Sequence, residues 1–420
     1  MNLLNQKHTH KESFKLADQM AGLPLLNYLT DKFRRDYDEA LTLDNIAIIY
    51  IHHALDTSVD LLDSVLNLGA RPENIFVLGK CYSDCPSVVN KIRNMGIFCL
   101  PSSYPDFPGE FSTCFEKDIK TLWSYAYQKV IKNREIKSFI VADHGGYATS
   151  SIPKEVTDSF RVIGVEKTAG GINKIGENNK PDIPILDMAR CFAKKKFESP
   201  LIAEAVANKI PEYINRIDEI SKCIVVGHGS IGSSVSKLIL KAGGGVTVCD
   251  PKKKELIFDE KLKCLDGSLE GCINEFDFVF GCSGCDITEG VNFSKISKNI
   301  TFVSCSSGDI EFLSLLHFIR NEVGRFTPQK CMEDIVFKTK SGGFLTVLRG
   351  GFPVNFDSSG ESVPREDIQL TRGLALSAIV QAALLLEKHR FLLPAFYVLD
   401  RKLQELVVNK WLTLKKRSRG

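Results

Sequence analysis

One stretch, residues 223–250 (CIVVGHGSIGSSVSKLILKAGGGVTVCD), constrains the fold of this chain more than any other. The apolar run Cys223–Val226 leads directly into Gly227-His228-Gly229-Ser230-Ile231-Gly232. A helical pattern follows over 233–242, and a second apolar run, 246–249, ends at Asp250, about 20 positions beyond Gly227. Strand, glycine turn, helix and strand in this order close as one unit of a parallel sheet. Each glycine has a physical reason. Gly227 permits the tight turn, Gly229 lets the backbone approach a pyrophosphate, and Gly232 lets the helix pack closely on the strand. The helix start at Ser230 and Ile231 then offers unpaired N–H groups and a positive dipole end to phosphate. Asp250 is placed to accept hydrogen bonds from ribose hydroxyls, and its charge opposes a 2′-phosphate. NAD is therefore expected over NADP, with Lys252, Lys253 and Lys254 offsetting part of that preference.

The rest of the chain repeats the same grammar. Residues 45–52 (NIAIIYIH) form a β-branched apolar run, and Leu55, Val59, Leu62, Val65 and Leu66 follow at helical spacing before Gly69. Strand patterns recur near 74–81, 97–100 and 138–143, with helical stretches between them. Such alternation predicts a parallel sheet with helices on both faces. Beyond Asp250, strands are expected near 276–283, 300–307 and 342–352, and a strongly apolar helix over 369–387. The expected fold class is α/β with two doubly wound domains. A Rossmann domain over 194–355 is inserted into a substrate-binding α/β domain built from 1–193 with 369–400. Residues 1–40 read as a surface-like helical segment and 401–420 as a basic, solvated C-terminal tail. Hinges are expected near Lys194 and Val354.

Composition narrows the partners. The 420 residues carry 54 Lys and Arg against 51 Asp and Glu, a net charge of +3. That balance gives no reason to expect nucleic acid or an anionic membrane surface, and a small-molecule substrate suits it better. No apolar run reaches the roughly 20 residues that span a bilayer, and no secretory signal opens the chain, so a cytoplasmic protein is expected. The 13 cysteines are odd in number and lie mostly singly in apolar runs, the pattern of buried free thiols in a reducing compartment. Cys282-Ser-Gly-Cys285 has no second CxxC at zinc spacing, so it reads as a loop beside the cofactor and no metal is expected.

In motif order, from about Asn45 to Leu386, the chain resembles the adenosylhomocysteinase family. His53 with the helix ending Leu68-Gly69-Ala70 resembles the family's histidine–helix–LGA segment. Asp143-His144-Gly145-Gly146 is similar to its Asp-Asp-Gly-Gly turn. Glu166-Lys167-Thr168-Ala169-Gly170 and Lys194-Lys195-Lys196-Phe197-Glu198 resemble its Glu-Thr-Thr-Thr-Gly and Lys-Ser-Lys-Phe-Asp motifs. Ser283-Gly284-Cys285 is similar to its Thr-Gly-Cys loop. The resemblance implies transient oxidation of a ribose hydroxyl by tightly held NAD, elimination of a thiol, addition of water and reduction again. It further implies that Lys194 and Glu198 assist hydroxyl deprotonation, Glu166 holds a sugar hydroxyl, His53 and His144 move protons, and Thr168 touches the nicotinamide portion.

The departures are as informative as the matches. His144 stands where the family has its second aspartate, Ser199 and Ala203 where it has asparagine and cysteine, and Ser307 where it has an active-site histidine. Its Gly-His-Pro segment is replaced by residues 349–357 (RGGFPVNFD), its adenine-side acid by Thr57, and its Lys…Tyr tail has no counterpart. A homodimer is expected in place of the family's tetramer. Three readings follow. The chain is an elimination or hydrolysis enzyme of this type, a dehydrogenase with net hydride transfer, or an NAD-binding homologue without turnover. Residue by residue, Lys194 to Lys196 could be a solvated charge run, His53 a core histidine, with His52 able to exchange roles with it, and Glu166–Lys167 an ion pair.

Overall fold

The computed structural model describes residues 22–176, 180–209, 222–250, 263–265, 268–324, 331–356, 360–389 and 391–417. Its strands are β1 (Ile46–Ile51), β2 (Ile75–Leu78), β3 (Phe98–Leu100), β4 (Ser138–Asp143), β5 (Arg161–Glu166), β6 (Ile185–Asp187), β7 (Cys223–Val226), β8 (Val246–Cys249), β9 (Lys263–Cys264), β10 (Phe278–Gly281), β11 (Ile300–Ser304), β12 (Ile335–Lys338), β13 (Phe344–Val347) and β14 (Phe396–Val398).

They form two seven-stranded sheets. The first runs β14-β6-β5-β4-β1-β2-β3 and is parallel throughout. The second runs β12-β13-β11-β10-β7-β8-β9 and is parallel except where β12 pairs antiparallel with β13. In each sheet the chain starts in the middle, winds outward, then reverses to the other side. The strand order therefore changes direction between β1 and β4 in the first sheet and between β7 and β10 in the second. At such a point the loops beyond the strand ends diverge and leave a crevice.

Burial explains the sequence patterns. β1, β2, β4 and β7 are covered on both faces, so they read as unbroken apolar runs without alternation. β6, β9 and β14 are two or three residues long, too short to show a period. The helix Arg365–Lys388 is the spine of the first domain. It lies on β4 and β5 and touches the helices Pro24–Tyr37, Asp56–Asn67 and Arg401–Arg417. Gly373 sits mid-helix because a Cβ there would come within 2.9–3.2 Å of Leu25, Leu29 and Val407. By length and composition this helix could cross a membrane, and 78% of its apolar window is buried inside the protein.

Two expectations are corrected here. Residues 24–37 are not surface-like: Leu25, Leu26, Leu29 and Phe33 are buried under that spine, while residues 1–21 lie outside the described residues. Nor do residues 401–417 form the expected solvated tail, while 418–420 lie outside the described residues. Residues Arg401–Arg417 form a helix that buries Leu403, Val407, Val408 and Trp411, and Trp411 Nε1 donates to Glu366 O at 2.8 Å. Lys415, Lys416 and Arg417 form the last turn of a helix whose apolar stripe has 3.6-residue spacing, so their charge did not report the burial of the preceding turns. Lys415 pairs with Asp367 at that helix's end.

Candidate active site

The glycine turn has the shape the sequence demands. Gly227 has φ +93°, and a Cβ there would lie 2.6 Å from the backbone of Cys282. A Cβ at Gly232 would sit 1.8 Å from Gly227 O, so only glycine lets the helix Ser230–Lys241 meet the turn. Gly229, by contrast, faces open space, with nothing within 4 Å of a would-be Cβ. It caps that helix without a side-chain hydrogen bond, and it is exposed together with Ser230. Asp250 closes the far side: its Oδ2 accepts from His228 N at 2.9 Å, which anchors the carboxylate beside the turn. The open backbone, the uncapped helix start and the anchored acid fit a dinucleotide.

Ser283, Gly284 and Cys285 follow β10 beside this crevice. They are held by Glu311, a residue the sequence reading missed. Gly284 N donates to its Oε1 at 2.5 Å and Ser283 Oγ to its Oε2 at 2.9 Å. Burial pushes the Glu311 carboxyl up to about 7. Cys285 is exposed. No group of His, Cys, Asp and Glu suited to a metal ion occurs among the described residues.

A second constellation gathers at the strand ends of the first sheet. His52 and His53 follow β1, Lys80 follows β2, His144 follows β4 and Lys167 follows β5, so they surround that sheet's switch point. The rings of His53 and His144 lie 4.6 Å apart, and His52 is 5.6 Å from each. Their hydrogen bonds separate their roles. Arg372 can only donate, so its contact with His52 Nε2 occupies that nitrogen's lone pair. Ser83 Oγ gives its proton to Lys80 O at 3.2 Å, so it accepts from His53 Nδ1 at 2.6 Å. That leaves Nε2 of His53 as the lone-pair nitrogen. His53, and not His52, is therefore the available base. Burial depresses all three histidines well below their ordinary range; the charges of Lys167 and Arg372 add to the effect on His52, and those of Lys80, Arg372 and Lys167 to the effect on His53.

The lysines are the larger surprise. Lys80 is fully buried, its Nζ has no hydrogen-bond partner, and burial lowers it to about 8. Lys167 does not pair directly with Glu166. Its Nζ donates to Ile51 O at 2.8 Å and Ala142 O at 3.2 Å, and burial lowers its affinity for the proton. Glu166 accepts from the backbone of Gly145, Gly146 and Thr168 and from Thr168 Oγ1, while burial and Asp143 hold its carboxyl up. Thr168 in turn caps the helix Ala169–Ile175 through Gly171 N. Both residues thus brace the Gly145-Gly146 turn that carries His144. Lys194 is no solvated charge. It pairs with Glu198 across one π-helical turn, Glu198 accepts from Thr371 Oγ1 at 2.7 Å, and Lys194 acts electrostatically on His144. Such single π turns recur at functional sites.

The two domains meet over these clusters. His144 Nε2 lies 3.4 Å from Ser307 Oγ, just beyond β11. Asp309 accepts from Gly109 N at 2.6 Å, and Arg320 pairs with Glu110. Phe352 stacks on Tyr82, and Phe356 stacks on His53 at 4.4 Å. Phe356 thus covers His53 with an aromatic ring. Thr57 is bound to Glu361 and Arg372, which brings an acid from a distant segment of the chain to this position.

No family model matches the chain. Two uncharacterized proteins of Mycobacterium tuberculosis, from strains CDC 1551 and H37Rv, are each 28% identical over 348 residues, 81% of this chain. The chain spans 65% of their length. Among solved structures, a D-isomer specific 2-hydroxyacid dehydrogenase from Xanthobacter autotrophicus Py2 with NADPH overlaps 62% of this chain and 83% of its own. Its TM-score is 0.35 and its identity 14%. A glyoxylate reductase from Paecilomyes thermophila overlaps 57% of this chain and 75% of its own, at TM-score 0.30 and 13% identity.

Proposed function

We propose that this chain is an NAD-dependent enzyme that removes a hydride from a hydroxyl-bearing small molecule held between its two domains. One observation carries the reading. A glycine crevice with an anchored acid lies on one domain, and a neutral histidine cluster on the other faces it through His144 and Ser307. When bound, NAD supplies a hydride acceptor. The remaining work falls to the chain. His53 Nε2 takes the hydroxyl proton; burial first, and then the nearby cations, keep it unprotonated before that step. Phe352 and Phe356 exclude water from above, while Glu166 and Thr168 hold the turn bearing His144.

A second reading, transient oxidation followed by elimination or hydrolysis at the adjacent carbon, is favoured by Lys194. Paired with Glu198 and acting on His144, it brings the residues matched to the adenosylhomocysteinase family to one place. Here NAD would be regenerated in each cycle. A third reading, NAD binding without turnover, predicts neither product.

Calorimetry of the purified chain with NAD and NADP tests the cofactor. NAD is expected to bind more tightly, and Asp250→Ala to weaken it about tenfold, roughly 1.4 kcal/mol. Unchanged affinity would overturn the ribose assignment. Reduced-nicotinamide absorbance across a panel of hydroxy compounds, with thiol release from adenosylhomocysteine in parallel, then separates the readings. Accumulating NADH supports the first, thiol without NADH the second, and neither product overturns both.

A further inference from the structure

Two thiols lie side by side beneath the glycine turn and take no part in the chemistry above. Gly281 and Ser304 are register partners at the ends of β10 and β11, and Cys305 N donates to Gly281 O at 2.9 Å. Cys282 and Cys305 are the next residue on each strand. Parallel neighbours run about 4.8 Å apart, which places the two Cα atoms within the roughly 4.4–6.8 Å that a disulfide spans. Register partners also send their side chains to one face of a sheet, and both cysteines pack on the same cluster with Val225, Val235 and Val354. The other cysteine of the CxxC, Cys285, is exposed at the surface beyond Gly284, which turns the loop with φ +71°.

We propose that Cys282 and Cys305 form a reversible intramolecular disulfide, with a peroxide as oxidant. The Cys305 sulfur attacks one peroxide oxygen, the O–O bond breaks, and a sulfenic acid and one water result. The Cys282 sulfur then attacks that sulfenic sulfur. The S–S bond forms, the S–O bond breaks, and the hydroxyl leaves with the Cys282 proton as a second water. Two thiols are oxidised by two electrons and the peroxide is reduced. The neighbouring Cys305 side chain and then burial hold the Cys282 proton on, so the first attack falls to Cys305.

The position gives the bond a consequence. Cys282 lies against Gly227 and within contact of Gly232, and Cys305 opens the loop that carries Ser307 to His144. The disulfide would tie the floor of the glycine crevice to the loop that meets the first domain. The pair stands on strand register alone and does not depend on the proposed activity.

The test is a tryptic digest of the folded, full-length protein after hydrogen peroxide, without reductant. Residues 299–320 form one tryptic peptide whose single thiol is Cys305, separate from the peptide 264–295 that carries Cys264, Cys272, Cys282 and Cys285. The expected product joins these peptides, lighter by two hydrogens, and dithiothreitol returns them to their separate masses. Cys282→Ser is expected to abolish the link and Cys285→Ser to leave it. Absence of any link, or a link that survives Cys282→Ser, would overturn the proposal.

Discussion

At the scale of single residues, space separates glycines that look alike in the motif. Gly232→Ala drives a Cβ into Gly227 O, so the turn or the helix must move, a cost of about 2–4 kcal/mol visible in denaturant unfolding. Gly229→Ala meets nothing. Its melting temperature is expected to match the wild type while dinucleotide affinity falls about tenfold, because the methyl occupies the space a pyrophosphate would need. The histidine pair illustrates the same limit of sequence. His52 and His53 are adjacent and chemically identical, and only the positions of Arg372 and Ser83, brought in from distant segments, make one spent and the other available.

Elements bring the longest-range surprises. The helix Arg401–Arg417 carries an apolar stripe legible in the sequence, yet the basic residues of its last turn, Lys415 to Arg417, have the composition of a solvated tail. Trp411→Ala removes a buried ring and its bond to Glu366, and is expected to cost about 3–5 kcal/mol by thermal or chemical unfolding. The loop after β10 supplies a pH-dependent prediction. The Glu311 carboxyl is raised from 4.5 to about 7, so the folded state holds its proton more tightly than the unfolded chain does. Its contribution to stability is therefore present below about pH 4.5 and lost as the pH rises toward about 7. Glu311→Gln should flatten that part of the stability curve, read as the difference in melting temperature between variant and wild type across this range.

For the whole molecule, the contact between domains is built from few bonds, and each can be tested. Asp309 receives the backbone N–H of Gly109 and, at 3.3 Å, of Phe111. Asp309→Ala leaves these donors without that acceptor and is expected to cost about 1–3 kcal/mol. The loss should be confined to the approach of the two domains. Separate unfolding of each sheet, followed by hydrogen exchange in β2 and β10, would then lose its coincidence.

The sequence by itself determined what depends on local pattern. β4, β7 and β8 run from the first to the last residue of their apolar runs, because a strand buried on both faces has no reason to alternate. The glycine turn and Asp250 were equally legible, since each residue there answers a demand made within one strand–helix–strand unit. The tertiary structure alone decided the rest. The orphan amine of Lys80, the bracing of Glu166, the acid that Glu361 brings to Thr57 and the adjacency of Cys282 and Cys305 all arise where strand ends distant in sequence converge at a switch point. Burial there changes what a charge or a thiol can do, and burial is a property of the assembled sheets, which no window along the chain contains.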